Sequence, residues 1–330
     1  MHINPVFELT RIVDGEEFQR LFTRVQKVLD PGDGDEYVDR SLSHKGLTVV
    51  YRKSQYKKKL RLIANTTLLM GKGGNGSGRL IHRLRKRIFQ YFENQLQLED
   101  FTLTKSTFTA DICVGDAAKV DKYINLFHKV GKVKSFSPVR YEGIPKGYSF
   151  CLEGKSNGIA FMAYDLYAVL EKNMGTGNKQ VLDSTKGVFR IEVRLTSHKA
   201  VRGACGEEKV VGQLLHLFEY SKEIFLENCQ RIIPCGDYYK KSGAMAIVRK
   251  EIHDLKLQRR MLRLIDLIPE KKSLLLAQKA LQYRKVEEVM AAFAKLGLSP
   301  VTIGKREKVQ FVDSLYRYLH GTGFEIGEDS

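Results

Sequence analysis

Proline is scarce in this sequence: 7 in 330 residues, beside 28 glycines and a 43% hydrophobic fraction. A chain so composed is neither disordered nor collagen-like, and it can bury one or two proper cores. Cysteine is also sparse. The five, Cys113, Cys151, Cys205, Cys229 and Cys235, are odd in number, scattered and without a C-x-x-C pair. That pattern signals neither a disulfide framework nor a zinc ribbon. No apolar run approaches the roughly 20 residues that span a bilayer. Residues 1–10 (MHINPVFELT) lack the charged-then-apolar layout of a signal peptide. A cytoplasmic protein without a membrane partner is expected. Acidic residues are in deficit: 38 Asp and Glu stand against 55 Lys and Arg, a formal charge of +17. This excess favours a polyanionic partner, nucleic acid before all others.

The first 200 residues mix β-rich runs with amphipathic helices, which predicts an α+β fold on an antiparallel sheet, with helices on one face. Strands are expected over 6–13, 47–52, 60–70, 101–114, 148–152, 158–164 and 188–195, each rich in Val, Ile, Phe, Tyr or Thr. Helical spacing of Phe18, Leu21, Phe22, Val25 and Leu29 follows Asp14, an acceptable N-cap, and Leu80, Leu84, Ile88, Tyr91 and Phe92 repeat likewise after Ser77. Tyr123, Ile124 and Phe127 suggest a third helix. No internal repeat is visible. From about Lys209 the pattern is almost wholly helical, over 214–228, 244–268, 271–296 and 305–319. A sheet-based domain over 1–245 and an all-α domain over 246–330 are expected. In the latter, Gly297-Leu298-Ser299-Pro300 separates two helices, the second with Val309, Val312, Leu315 and Leu319 on one face. This reads either as a DNA-binding helix-turn-helix or as two packed helices with an ordinary turn.

Three basic clusters stand out. Lys45, Arg52, Lys53, Lys57, Lys58, Lys59 and Arg61 lie in a segment that reads as a hairpin, with Tyr51 and Tyr56 interleaved. Cations hold phosphates, and rings stack on unpaired bases. Arg79, His82, Arg83, Lys86 and Arg87 have helical spacing, as do Arg249, Lys250, Lys256, Arg259, Arg260 and Arg263. The run Gly71-Lys72-Gly73-Gly74-Asn75-Gly76-Ser77-Gly78-Arg79 invites a phosphate-loop reading but lacks the terminal Gly-Lys-Ser/Thr. A loop that touches a DNA backbone suits it better.

Acids on strands carry the rest. In 107–114 (TFTADICV), Phe108, Ala110 and Ile112 share one face and Thr109, Asp111 and Cys113 the other. In 188–195 (VFRIEVRL), Phe189, Ile191, Val193 and Leu195 form a core face, while Arg190, Glu192 and Arg194 point the opposite way. Asp165 ends a third strand. Three carboxylates on neighbouring strands could hold Mg²⁺ or Mn²⁺ through oxygen, and such an ion polarises a phosphodiester. The alternative is a cross-strand ion pair in solvent. At 235–243 (CGDYYKKSG), Tyr238 and Tyr239 precede Lys240 and Lys241; a phenol near a cation is a fit nucleophile for phosphate, and capping tyrosines beside solvated lysines are the plainer reading.

The succession of 107–114, 149–156 (SFCLEGKS) leading to 163–167 (AYDLY), and 189–195 (FRIEVRL) resembles the replication initiation factor family. These are rolling-circle initiators and relaxases of phages, plasmids and conjugative elements. The resemblance implies a sheet-based palm related to HUH endonucleases and RRM-like folds, followed by the helical region. It implies divalent-metal-dependent nicking and rejoining of one DNA strand through a phosphotyrosine. Asp111 and Glu192, with Asp165, would be metal ligands. Arg190 and Arg194 would position the strand, and Arg52, Lys53, Lys57, Lys58, Lys59, Arg79 and Arg83 would bind DNA. Tyr239 or Tyr238 would attack, chosen by its spacing to Lys240 and Lys241, with Lys241 offsetting developing charge. The expected partner is single-stranded or hairpin origin DNA, with a host helicase as a second candidate. Leu166 stands where the family has Lys, and the paired histidines of HUH enzymes are missing. The alternative is a non-catalytic, sequence-specific origin binder or regulator, and a third reading is RNA bound on a tyrosine-rich sheet.

Overall fold

The computed structural model describes residues 3–55, 57–71, 76–174 and 179–320. The chain opens with β1 (Asn4–Val13) and then α1 (Gly15–Val25), where the Asp14 carboxylate accepts from the Glu17 N–H at 2.8 Å and Phe18, Leu21 and Phe22 are buried. Short strands β2 (Asp30–Pro31) and β3 (Glu36–Asp39) lead to the hairpin of β4 (Leu47–Lys53) and β5 (Lys58–Asn65). The strand expected over 60–70 stops at Asn65 because that side chain caps α2 (Thr66–Met70), accepting from the Leu68 N–H at 3.1 Å. Next come α3 (Ser77–Tyr91), β6 (Thr102–Cys113), α4 (Ala117–Val130), β7 (Ser137–Pro138), β8 (Ser149–Gly154) and β9 (Ile159–Asp165). They are followed by α5 (Leu166–Met174), α6 (Lys179–Asp183), β10 (Val188–Leu195), α7 (His198–Cys205), α8 (Val210–Glu219) and α9 (Ser221–Ile232).

All ten strands join one antiparallel sheet in the order β2-β3-β4-β5-β1-β6-β10-β9-β8-β7. That order is symmetric about the β1–β6 seam. Each half is a strand, a helix, and a meander whose last strand returns beside the first: β1, α1, β2 to β5, then β6, α4, β7 to β10. The duplication is one of topology and leaves no repeat in the sequence.

One face of the sheet carries Phe7, Leu62, Phe108, Ala163 and Ile191, all fully buried under a layer that includes α1, α4, α7, α8 and α9. The other face is open except at one end. There the 139–144 segment and α5 bury Cys151, Met162 and Tyr164 in a second apolar cluster.

The C-terminal helices α10 (Lys241–Glu251), α11 (Leu255–Lys271), α12 (Leu274–Ala280) and α13 (Val286–Lys295) pack beyond α4, and their apolar side chains join the same core as the sheet. The helix expected over 305–319 is not continuous. After turns at 305–310 comes β12 (Phe311–Val312), which pairs with β11 (Tyr238–Tyr239), and within 305–319 only the residues of α14 (Leu315–His320) are helical. The chain folds back because Asp237 exchanges backbone bonds with Gly297 (2.7 Å) and Ser299 (2.9 Å), and Tyr239 accepts from the Ile303 N–H (2.9 Å). With the second helix replaced by returning backbone, the helix-turn-helix geometry is lost.

Candidate functional site

β10 lies between β6 and β9 in the second half-sheet, so its alternation sets the site. Its register puts Arg190 opposite Asp111, Glu192 opposite Thr109 and Arg194 opposite Thr107 on β6, and Tyr164 of β9 opposite Arg190. All these side chains share the open face, as the two-residue period requires. The Arg190 guanidinium grips Asp111 with both prongs, Nε to Oδ1 at 2.6 Å and Nη2 to Oδ2 at 2.7 Å, and this pairing raises its already high pKa. Glu192 is 6% exposed. Its Oε1 accepts from the Tyr164 hydroxyl at 2.5 Å, and its Oε2 from Arg194 Nε at 2.9 Å and Nη2 at 2.5 Å. Burial, reinforced by Glu192, pushes the Tyr164 phenol well above its ordinary value.

Beside this dyad a cleft of about 370 Å³ is lined by Glu8, Lys105, Thr107, Tyr141, Glu153 and Arg194, with Tyr141 lying 5.6 Å from the Arg194 guanidinium. Across the seam Lys105 pairs with Glu8 at 3.2 Å, and Arg61 pairs with Glu36 at 2.8 Å. The open face is thus a belt of matched charges. Tyr164 was within reach of the sequence, because it shares parity with Met162 rather than with Phe161 and Ala163. Tyr141 was not, since it lies in an aperiodic segment.

Asp165 does not join the other two acids. It stands opposite Phe189, on the helix-covered face, and its Oδ1 accepts from the Tyr167 N–H (2.9 Å) and Ala168 N–H (3.3 Å) at the start of α5. Burial raises its pKa, and Asp121 of α4 adds to the rise. The donor set therefore does not fit Mg²⁺ or Mn²⁺ as these side chains stand: Asp111 and Glu192 each spend both oxygens on neighbours, and Asp165 faces away. Among the described residues no three His, Cys, Asp or Glu side chains form a metal-holding group.

The two tyrosines expected as nucleophiles lie a layer away. Tyr123 of α4 stacks on Phe189 at the core face and donates to the Asp313 carbonyl at 3.0 Å, so the β11–β12 pair sits behind α4, on the far side of the sheet from Glu192. Tyr238 is 1% exposed and burial drives its phenol far up; Tyr239 packs on Phe311 with ring centroids 5.0 Å apart. Lys241 is ion-paired with Asp266.

The basic hairpin is largely as read. Arg52, Lys53 and Lys57 are exposed, and Lys58 and Lys59 partly so. Lys53 and Lys58 hold their ammonium groups 5.9 Å from the Phe22 and Phe18 rings. Tyr51 is no stacking platform: it is wholly buried between those rings, with its pKa pushed up to about 12 by burial. Tyr56 and residues 72–75 of the glycine loop lie outside the described residues. On α3, Arg79 is exposed, and Arg83 donates to the Leu69 and Met70 carbonyls at 2.7 and 2.6 Å.

The fold is α+β, built on a single large antiparallel sheet. No family model matches the sequence, and no curated protein matches it. Among solved structures the chain is similar to a rolling circle replication initiator protein from Geobacillus stearothermophilus. The match has 12% identity over 70% of this chain and 86% of that one, with a TM-score of 0.37. That likeness is one of outline and assigns no residue a role. Among the described residues no helix is long and apolar enough to cross a membrane.

Proposed function

We propose that the protein binds single-stranded or hairpin DNA, of the kind that marks the origin of a phage, plasmid or integrated element. The observation that carries this is the β4–β5 hairpin. Among the described residues no acid pairs with Arg52, Lys53, Lys57, Lys58 or Lys59, whereas Arg61, Lys105, Arg190 and Arg194 on the open face are each matched. Five unneutralised cations on one β-ribbon of a +17 chain make an electrostatic footprint for a phosphate backbone. The origin as target comes from the three strand motifs.

The direct test is fluorescence anisotropy of a labelled single strand across a salt series. Tight binding at low salt, with log K falling linearly against log salt, is expected, and K57Q/K58Q/K59Q should flatten that line. Absence of binding at low salt would overturn the reading.

Metal-dependent nicking is the second reading, favoured by one observation: Asp111 and Glu192 occupy the same face of adjacent central strands. Incubation of the protein with labelled single-stranded and hairpin DNA and Mn²⁺ decides between them. A binder gives no detergent-stable adduct, and its affinity is indifferent to chelator and to Glu192→Gln. An adduct, in the wild type or in the Tyr238→Phe/Tyr239→Phe double variant, would establish the second reading.

A further inference from the structure

On the helical side of the first half-sheet, α3 and the turn before β4 enclose a cleft of about 410 Å³, within the range of about 300–1,000 Å³ typical of ligand sites. Among the described residues four of its lining side chains are cations, Lys45, Arg83, Lys86 and Arg87, and none is an acid. Among the described residues none of the four has an acidic partner. Asp39, the carboxylate behind this wall, is 2% exposed and already accepts from the Tyr91 hydroxyl (2.7 Å) and the Ser41 N–H (2.8 Å). No salt bridge joins it to any of the four cations among the described residues.

Arg87 supplies a second, independent observation. Its Nη1 is shut off from solvent and has no hydrogen-bond partner. A buried donor without an acceptor carries a desolvation cost, and the side chain that bears it lines the cleft. Burial and the nearby Arg83 charge also push the Arg87 pKa down, the environment of a cation that lacks a counter-charge.

The walls are closely packed. Arg83 is pinned by two carbonyls of α2. Gly46, which ends the Lys45 turn at φ +85°, packs so closely that a Cβ would stand 2.6 Å from Leu69 N and 2.7 Å from Asn65 O.

We infer that this cleft is a phosphate site, and that the phosphates it receives belong to a nucleic-acid strand. The strand, as against a free nucleotide, follows from what the cleft lacks. Among the described residues Tyr91 is the one ring lining it, and that ring is engaged edge-on by Phe92 at 4.8 Å with its hydroxyl committed to Asp39. Charge is offered for phosphate, and nothing stacks on a base. The inference rests on the DNA-binding reading but uses residues other than the hairpin.

The test compares wild type, K86Q/R87Q and K57Q/K58Q for binding a labelled single strand by anisotropy across salt, with added pyrophosphate as competitor. Circular dichroism confirms that each variant is folded. K86Q/R87Q should weaken binding roughly tenfold and reduce the salt slope by about 1.4, from two phosphate contacts at about 0.7 each. Pyrophosphate should compete with the wild type and with K57Q/K58Q, but far less with K86Q/R87Q. Unchanged affinity and slope in K86Q/R87Q, with weakened binding in K57Q/K58Q, would overturn the cleft and leave the DNA reading standing. A wild type that binds pyrophosphate but no DNA would overturn the strand as the source and the DNA reading with it.

Discussion

Arg190 and Asp111 face each other across the central β6–β10 pair and are joined by two hydrogen bonds of 2.6 and 2.7 Å. The pair occupies the part of the sheet that the sequence marks as chemical, and it leaves Asp111 half-exposed. An ion pair so open to water contributes little to stability, and its guanidinium is held away from any other anion.

Asp111→Asn therefore separates fold from function. Urea unfolding should show a change within about 1 kcal/mol. Affinity for a single strand, read by anisotropy, should rise severalfold as Arg190 is released toward phosphate. Weaker binding would show that Asp111 contributes to recognition in its own right.

Tyr164→Phe removes the hydroxyl that satisfies Oε1 of Glu192 beneath the 139–144 segment. A buried carboxylate oxygen loses its donor, at a cost of about 1–3 kcal/mol. Chemical denaturation measures this, and a loss below half a kcal/mol would mean that water reaches Glu192.

Asp165 predicts a pH signature. In the folded chain burial lets its carboxyl hold the proton more tightly than in the unfolded chain, so its pKa is raised. The stability it contributes is complete below the unfolded value, about 4, and is lost as pH rises through the folded value. Asp165→Asn keeps the acceptor for the Tyr167 and Ala168 N–H groups and removes the titration, so it should equal or exceed wild type in stability at pH 7. Asp165→Ala should lose about 1 kcal/mol with the cap. Thermal denaturation at pH 4 and pH 7 distinguishes these outcomes.

Gly46→Ala should cost well over 1 kcal/mol, because a left-handed backbone and a 2.6 Å collision with Leu69 N act together. A melting temperature equal to wild type would show that the Lys45 turn yields, and the cleft wall with it.

The sheet and its faces were legible because period-two alternation reports burial directly: Phe189, Ile191, Val193 and Leu195 are buried, as the pattern of β10 required. Position along the sheet was not legible. Asp165 was grouped with Asp111 and Glu192 by adjacency of strands, yet its own parity with Phe161 and Ala163 already placed it on the apolar side. The helix start expected beside Tyr238-Tyr239 is there, α10 beginning at Lys241, but the strand that the tyrosines themselves form is not legible. In the structure the two tyrosines form a strand, because residues 311–312, far along the chain, pair with them. The topological duplication is not legible in the sequence for a related reason: strand order is decided by pairings between distant segments, and the two halves reach the same order with different side chains.

The β11–β12 contact has a consequence for assembly. Within each half-sheet, meander neighbours are close in sequence and can zip together locally, whereas Tyr238 waits for Val312. Loop closure of that span is slow relative to hairpin formation. Until it happens the apolar surfaces of Tyr238, Leu298, Ile303 and Tyr316, all buried in the finished molecule, stay uncovered. Closing that one long-range contact therefore covers apolar surface that no local pairing in the sheet can cover.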